Sequence, residues 1–218
     1  MSFYSTWLLP RAVDLVMQQK QMRPYRERIG QAATGLTLDV GIGSGLSLAF
    51  YGERTRQIVG IDPSAELLRF ARKRADKVSI PVELLRGSAE AVPLEDQSVD
   101  TVVTTFTLCS VGDAAKALSE MRRVLKPGGK LLFAEHGRAP DPGVAIWQDR
   151  LTPLWSRVAG GCHLNRKPDD LIQSAGFRID VLTPWKRAIS RDRGRWDSST
   201  KVVRTQFDVH RALPANEA

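Results

Sequence analysis

The chain has 218 residues, of which 42% are hydrophobic and 26% charged. This length predicts one folded domain with a modest extension, and this composition excludes global disorder. The net charge of +8 would suit nucleic acid or an anionic membrane face, but no RNA-binding signature or base-stacking aromatic cluster accompanies it, so no nucleic-acid partner is expected. The sequence shows no pattern of a signal peptide and no apolar run of the roughly 20 residues that span a bilayer. Two cysteines are too few for a disulfide framework. Together these features predict a cytoplasmic protein.

Residues 1–35 predict a helical cap that precedes the main pattern of the chain. Their apolar side consists of Trp7, Leu8, Leu9, Val13, Val16 and Met17. We expect this segment to pack on the sheet or to cover a site. Its aromatic character is also compatible with a peripheral contact to a membrane.

Residues 36–183 alternate between short β-branched or apolar runs and helical patterns, which predicts an α/β fold. The predicted strands are Leu36–Val40, Gln57–Ile61, Val82–Arg86, Asp100–Thr105, Lys130–Glu135 and Phe177–Thr183. A helix between Ala114 and Leu125 is expected to stop at Pro127-Gly128-Gly129, where the chain turns. The alternation predicts a mostly parallel sheet with helices on both faces and right-handed crossovers.

A glycine turn follows the first predicted strand, in the run Leu36-Thr-Leu-Asp-Val-Gly-Ile-Gly-Ser-Gly45. Glycines at 41, 43 and 45 would let a ligand approach the backbone, although a triplet alone is equally typical of a structural turn. The spacing G-x-G-x-G, preceded by Asp39, differs from the G-x-G-x-x-G of dinucleotide folds. It therefore argues against a nicotinamide oxidoreductase.

Asp62 closes the second predicted strand, in the run Val59-Gly-Ile-Asp-Pro63. An acid at this point accepts hydrogen bonds from the ribose hydroxyls of a nucleoside, or it caps the following helix, and the two roles are compatible. Further along come Gly87-Ser-Ala-Glu90, Val92-Pro93, Asp96-Gln-Ser-Val-Asp100 and Leu125-Lys-Pro-Gly-Gly129. In this order and spacing, residues 36–136 resemble the class I S-adenosylmethionine-dependent methyltransferases.

That resemblance implies a Rossmann-like fold with a mostly parallel seven-stranded sheet and S-adenosylmethionine as the cofactor. It assigns the cofactor to the carboxyl ends of the strands, where open α/β sheets bind their ligands. The residues implied are Asp39, Gly41, Gly43 and Gly45 at the methionine end, Asp62 at the ribose, Pro63, Ser88 and Ala89 around the adenine, and Thr105 and Phe106 near the sulfonium.

A second set of motifs lies on the acceptor side. It comprises Thr107-Leu-Cys-Ser-Val111, Glu135-His136-Gly-Arg138, Trp147-Gln148, Pro153, Trp155 and Gly160-Gly-Cys-His-Leu-Asn-Arg166. Together these look like the methyltransferase-like 7 family of alkyl thiol methyltransferases and its soluble bacterial relatives, over about residues 4–182. The resemblance implies a small-molecule acceptor, with a thiol as the first choice. A lipid or quinone precursor at a membrane surface is the alternative, and a nucleic-acid-binding protein that keeps the fold as a scaffold is a third.

A thiol must react as its thiolate, so a base near the acceptor would help. Glu135 and His136 are the first candidates, although a structural role explains His136 equally well, and His163 comes next. Trp147 and Trp155 would wall an acceptor pocket, and Cys109 is a core residue or lines that pocket. With two cysteines, three histidines and no recurring ligand spacing, no metal site is expected.

The last segment, residues 184–218, departs from the family pattern. From Thr183 to Ala218 there are 8 basic and 4 acidic residues, which is +4 of the net +8. Val202–Val209 predicts a last strand, and a disordered tail is the other interpretation.

Overall fold

Residues 4–184 and 200–206 are described by the structure, which is a computed structural model. The strands are β1 (Gly35–Val40), β2 (Thr55–Asp62), β3 (Val82–Arg86), β4 (Val99–Thr105), β5 (Leu125–His136), β6 (Arg178–Pro184) and β7 (Thr200–Gln206). The α-helices are α1 (Leu9–Met17), α2 (Arg23–Ala32), α3 (Ala65–Ala75), α4 (Ala114–Val124), α5 (Pro142–Val158) and α6 (Pro168–Ser174). A π-helical segment, Tyr4–Leu8, precedes α1, and short 3₁₀ turns span Lys20–Met22 and Leu48–Phe50.

The strands form one sheet in the order β3-β2-β1-β4-β5-β7-β6. Its first five strands pair in parallel, so the parallel block has five strands rather than seven, and β7 runs antiparallel to both β5 and β6. The predicted α/β Rossmann-like class is confirmed. Because β1 pairs with β2 on one side and β4 on the other, the strand order reverses at β1, and this is where such sheets bind ligands.

Helices cover both faces of the sheet, as predicted. On one face, Leu38 and Val59 pack with Leu118 and Met121 of α4 and Ile172 of α6. On the other face, the packed residues are Ile58, Val103, Leu132, Tyr25 and Ile29 of α2, and Leu68 of α3. Alternating strand side chains thus supply both cores, which is what a buried parallel sheet requires.

The Pro-Gly-Gly turn differs from its prediction. Helix α4 ends at Val124, before the proline, and β5 begins at once because Leu125 pairs with Val99. The register then shifts before Lys130 pairs with Thr101, and Gly128 has a φ of +75°. Pro127-Gly128-Gly129 is therefore an irregularity at the amino end of β5 rather than the turn that ends the helix.

The predicted last strand, Val202–Val209, corresponds to β7, whose bounds are Thr200–Gln206. Residues 207–209 of that prediction lie outside the described part of the chain. The division of the chain into 1–35, 36–183 and 184–218 stays a prediction.

Helix α1 contacts α3 through two ion pairs. Arg11 lies 3.0 Å from Glu66, and Arg74 lies 3.0 Å from Asp14. Arg74 also donates a hydrogen bond to the carbonyl of Ser44 at 2.7 Å, so the first helix is joined to the glycine turn. Within the described ranges, no helix combines the length and the apolar character that a membrane crossing requires.

Candidate active site

The three glycines after β1 all have left-handed backbone, with φ of +70° at Gly41, +56° at Gly43 and +78° at Gly45. A Cβ atom on Gly41 would overlap the side chain of Thr107, and one on Gly45 would lie 3.0 Å from the Cα atom of Ala71. A Cβ on Gly43 would meet only the carbonyl of Gly41, at 3.9 Å. Gly41 and Gly45 are thus required by packing, whereas Gly43 faces open space that a ligand can enter.

Asp62, at the end of β2, holds this turn in place. Its Oδ2 atom accepts a hydrogen bond from the amide of Gly43 at 3.0 Å, and its Oδ1 atom accepts one from the amide of Ser64 at 2.8 Å. Burial raises the pKa of Asp62, and the two amides partly offset that effect. The N-cap of α3 is Ser64, which accepts from the amide of Leu67, so Asp62 is not the helix cap. Each carboxylate oxygen keeps a further lone pair for a ribose hydroxyl.

Asp39 is 1% exposed beneath the glycine turn. The hydroxyl of Tyr51 donates to its Oδ2 atom at 2.8 Å, and the buried guanidinium of Arg26 attracts its charge. Burial nevertheless raises the pKa of Asp39 to about 7. The sequence placed Asp39 at the cofactor but gave no signal for Tyr51 or Arg26, which lie outside the motif.

The residues predicted around the adenine divide into two kinds. Pro63 and Ser88 are exposed, and the Ser88 hydroxyl donates to the carboxylate of Glu90. Ala89 is buried and packs in the core beside α4. Contact with an adenine stays a prediction for all three residues.

The end of β4 carries two marks of a binding site. The buried Oγ1 atom of Thr105 has no hydrogen-bond partner among the described residues. Phe106 has a φ of +56°, which is uncommon for a residue with a side chain, and its amide donates to the carbonyl of Ala134 at 2.8 Å. These are the residues predicted near the sulfonium.

Glu135, predicted as a base, is completely buried at the end of β5. Its Oε1 atom accepts from the amide of Thr107 at 2.8 Å, the amide of Leu108 at 2.9 Å and the hydroxyl of Thr104 at 3.3 Å. Burial raises its pKa, and the two amides oppose that shift. This geometry makes Glu135 a positioning residue for the loop after β4, because an acceptor cannot reach it without rearrangement. Its role as a base stays a prediction.

Cys109, His136 and Cys162 meet at the same edge of the sheet. The Nε2 atom of His136 lies 3.3 Å from the Sγ atom of Cys162, and the two sulfurs and this imidazole lie within 4.8 Å of one another. The interaction between the two thiols lowers the pKa of Cys162 and raises that of Cys109. Burial alone would lower the pKa of His136, but its contact with Cys162 raises it. The residues are far apart in sequence, so no local spacing predicted this cluster.

Hydrogen bonds join the loops that carry these side chains. Arg166 donates to the carbonyl of Leu108 at 2.6 Å and to that of Val111 at 2.7 Å, and its own carbonyl accepts from the amide of Arg138 at 2.8 Å. The amide of His163 donates to the carbonyl of Cys109 at 2.8 Å. The loops after β4, β5 and α5 therefore form one connected layer, and Arg166 is a residue whose role the sequence did not reveal.

The two tryptophans of α5 are not enclosed. Trp147 is 60% exposed, with the guanidinium of Arg150 over its ring, and Trp155 is 45% exposed. The indole of Trp155 contributes to the lowered pKa of Cys162. Helix α5 buries only Ala145 and Thr152, so both tryptophans lie on its exposed side. Contact with an acceptor stays a prediction for both tryptophans.

Comparison with known proteins agrees with this arrangement. A family model described as a methyltransferase domain matches residues 38–133. The human thiol S-methyltransferase TMT1B is 35% identical over 178 residues, 76% of this chain and 72% of that protein. The rat TMT1B is 35% identical over 153 residues, 68% of this chain, and the match spans less than two thirds of the rat protein, at 62%. A demethylmenaquinone methyltransferase of Renibacterium salmoninarum is 35% identical over 124 residues, 55% of this chain and 51% of that protein.

Solved structures show the same fold. An S-adenosylmethionine-dependent methyltransferase of Thermotoga maritima superposes with a TM-score of 0.65 at 22% identity, covering 92% of this chain and 99% of that one. The open side of Gly43, the carboxylate of Asp62 and the partnerless hydroxyl of Thr105 fit S-adenosylmethionine, which is the cofactor of the family. The chain belongs to the class I S-adenosylmethionine-dependent methyltransferases.

Proposed function

We propose that the protein transfers a methyl group from S-adenosylmethionine to the sulfur of a small-molecule thiol. The observation that carries this proposal is the extent of the similarity to human TMT1B. It covers 178 residues, whereas the methyltransferase domain match ends at residue 133. The similarity therefore includes residues outside the cofactor half, and the acceptor-side loops lie mostly in that part of the chain.

Most of the catalytic work in such a transfer is alignment of the acceptor atom with the methyl carbon. Bound S-adenosylmethionine supplies a methyl group already activated by a sulfonium. Asp62 would hold the ribose, and the turn at Gly43 would leave room for the methionine end. Glu135 fixes the amides of Thr107 and Leu108, and with them the loop that faces the acceptor.

The bond changes balance without any further reactant. The acceptor sulfur forms a bond to the methyl carbon while the bond from that carbon to the sulfonium breaks, and the electron pair stays on the departing sulfur. The thiol proton leaves to water or to a base, for which Glu135 and His136 are the predicted candidates. Excluding water and holding the acceptor in line are tasks for the loops after β4, β5 and α5.

A panel of acceptors tests the proposal. Alkyl thiols, amines, phenols and quinone precursors are each incubated with the protein and the cofactor, and S-adenosylhomocysteine is quantified. Thiols alone should give product, and the rate should rise with pH as the thiolate fraction grows toward the thiol pKa of about 8.5. Asp62→Ala serves as the control, since it should lower turnover with every acceptor. Methylation of an amine, phenol or quinone precursor but of no thiol would refute the proposal.

A lipid or quinone precursor is the second candidate acceptor, and one surface feature favours it. The exposed large apolar side chains among the described residues lie either between residues 4 and 16 or on α5. The two regions adjoin, because the hydroxyl of Tyr4 donates to the carbonyl of Val158. An apolar surface of this kind suits a membrane or an apolar acceptor. Methylation of a quinone precursor presented in vesicles, with no thiol turnover, would select this function.

A further inference from the structure

The Cys109–His136–Cys162 cluster consists of three side chains from separate loops. Cys109 follows β4, His136 ends β5, and Cys162 follows α5. Their two sulfurs and one imidazole nitrogen lie within 4.8 Å of one another, and the Nε2 atom of His136 lies 3.3 Å from the Sγ atom of Cys162. Three metal-ligating groups from distant parts of the chain thus converge on one point.

The separation of 3.3 Å between His136 Nε2 and Cys162 Sγ is close to that of a tetrahedral zinc site, and the remaining separations lie within 4.8 Å. Zinc bonds of about 2.3 Å to sulfur and 2.0–2.1 Å to nitrogen place two sulfurs about 3.8 Å apart and a sulfur about 3.5 Å from a nitrogen. A single ion at the centre would therefore reach all three ligands after small side-chain movements. Two thiolates and one imidazole form a donor set that selects zinc over magnesium or calcium, which prefer oxygen.

Among the described residues, the cluster offers three protein ligands and no fourth. Across residues 4–184 and 200–206, the group of converging side chains contains no other cysteine, histidine or carboxylate. Structural zinc sites are closed by four protein ligands, whereas three ligands leave a position for a reactant. The Sγ atom of Cys109 lies 3.6 Å from the carbonyl of Phe106, a residue predicted near the sulfonium, so the cluster adjoins the reacting side of the cofactor site.

The backbone around the cluster is held before any metal arrives. Glu135 fixes the amides of Thr107 and Leu108 just before Cys109, and the carbonyl of Cys109 accepts from the amide of His163, next to Cys162. These hydrogen bonds fix the backbone that carries Cys109, so Glu135 is a positioning residue for the cluster.

We propose that Cys109, His136 and Cys162 bind one zinc ion, and that its fourth position takes the acceptor thiol as a thiolate. The first half stands on the cluster alone, and the second half rests on the proposed function. Binding releases one proton from each thiol to water, so His136 serves here as a ligand and not as the base. The zinc-bound acceptor sulfur then forms its bond to the methyl carbon as the bond to the sulfonium breaks, with its electron pair left on the departing sulfur. Zinc keeps its charge throughout, and the neutral thioether is a poor ligand that leaves.

Two other uses of the cysteines fail on chemical grounds. A methyl relay through Cys162 would stop at a neutral thioether, which is not an activated methyl donor. A disulfide between Cys109 and Cys162 needs an oxidant that the methyl transfer does not supply, and it gives no role to His136. Metal binding uses all three side chains.

Direct metal binding tests the first half without cofactor or acceptor. The full-length protein, reduced and stripped of metal, is titrated with zinc against a coloured chelator, and cobalt is added in parallel as a spectroscopic probe. We expect one zinc per chain and a cobalt spectrum with a thiolate charge-transfer band. Cys162→Ser and His136→Asn should each weaken zinc binding by about 100-fold or more. His163→Asn removes no ligand but does remove an imidazole whose Nδ1 atom lies 3.3 Å from the carbonyl of Cys109, so it should weaken zinc binding far less than either ligand variant.

The outcomes separate the two halves. Less than one zinc per chain, a cobalt spectrum without the thiolate band, or wild-type affinity in Cys162→Ser would overturn the metal site. If Cys162→Ser does not fold, the stoichiometry and cobalt spectrum of the wild type decide the question. Thiol methylation that persists in verified metal-free protein would overturn the second half while the proposed function stands. Stoichiometric zinc with no thiol turnover would overturn the second half together with the proposed function.

Discussion

Substitution of Gly43 by alanine tests whether the open side of the glycine turn holds the cofactor. Gly43 and Gly128 form a matched pair, because both have left-handed backbone, with φ of +56° and +75°. A Cβ on Gly128 would meet nothing within 4 Å, and one on Gly43 would meet a single carbonyl at 3.9 Å. Left-handed backbone costs a residue with a side chain about 1–2 kcal/mol, so both alanine variants should lose about the same stability.

The two variants should differ only in cofactor binding. At Gly43 the new methyl enters the space predicted for the methionine end, where overpacking costs about 1–3 kcal/mol and so raises the Kd about 5- to 150-fold. Gly128 lies at the amino end of β5, the opposite edge of the sheet, and Gly128→Ala should leave the Kd unchanged. Gly43→Val adds a branched side chain and should abolish binding.

Calorimetric titration with S-adenosylmethionine, together with thermal unfolding, measures both effects. A wild-type Kd in folded Gly43→Ala would show that this turn is not the cofactor cradle. Equal losses of affinity in Gly43→Ala and Gly128→Ala would attribute the effect to strain rather than to the site.

Three other predictions concern the carboxylates. Asp62→Ala should weaken cofactor binding tenfold or more, since each hydrogen bond to a carboxylate contributes about 1.5–3 kcal/mol, and unchanged calorimetric affinity would remove Asp62 from the ribose site. Burial raises the pKa of Asp39 to about 7, so the carboxylate loses its charge as the pH falls through that value. Because the methionine end of S-adenosylmethionine is cationic, the Kd for the cofactor should rise about tenfold from pH 8 to pH 6. Tyr51→Phe removes a hydrogen bond that lowers this pKa and should move the midpoint upward, whereas a flat profile would contradict the assignment. Glu135→Ala leaves the amides of Thr107 and Leu108 without an acceptor and should lower the free energy of unfolding, measured in urea, by about 2–6 kcal/mol. Glu135→Gln keeps an oxygen that can accept these amides and should lose less. An equal loss in both variants would argue against the positioning role.

The cofactor half was predictable because its signals are local. The strand β3 has the predicted bounds, Val82–Arg86, and the turn at Gly41, Gly43 and Gly45 has the left-handed backbone that glycine permits. The start of β5 was not predictable, since it depends on Leu125 pairing with Val99 on a neighbouring strand. Strand boundaries follow partners that a single stretch of sequence does not reveal.

The acceptor half depends on contacts between distant segments. Trp147 was predicted to line a pocket. Its exposure of 60% depends on the orientation of α5 in the fold, which the sequence of the helix does not reveal. The same holds for the meeting of Cys109 with Cys162, whose separation of more than 50 residues hides it from any motif of fixed spacing. Such convergence becomes visible only when β4, β5 and the segment after α5 are placed together.

Asp62 and Glu135 occupy similar positions in the sheet but differ in exposure. This difference explains why we expect Asp62 to contact a ligand and Glu135 to act by positioning a loop. Asp62 is the last residue of β2, and Glu135 is the last but one of β5. Each accepts backbone amides from the loop of the adjacent parallel strand, Asp62 from Gly43 after β1 and Glu135 from Thr107 and Leu108 after β4. One acid thus holds the cofactor turn, and the other holds the loop that leads into Cys109. Asp62 stays 7% exposed at the open turn, but Glu135 is 0% exposed. A ligand can therefore reach Asp62 directly, whereas Glu135 can influence the acceptor only through the loop that it positions.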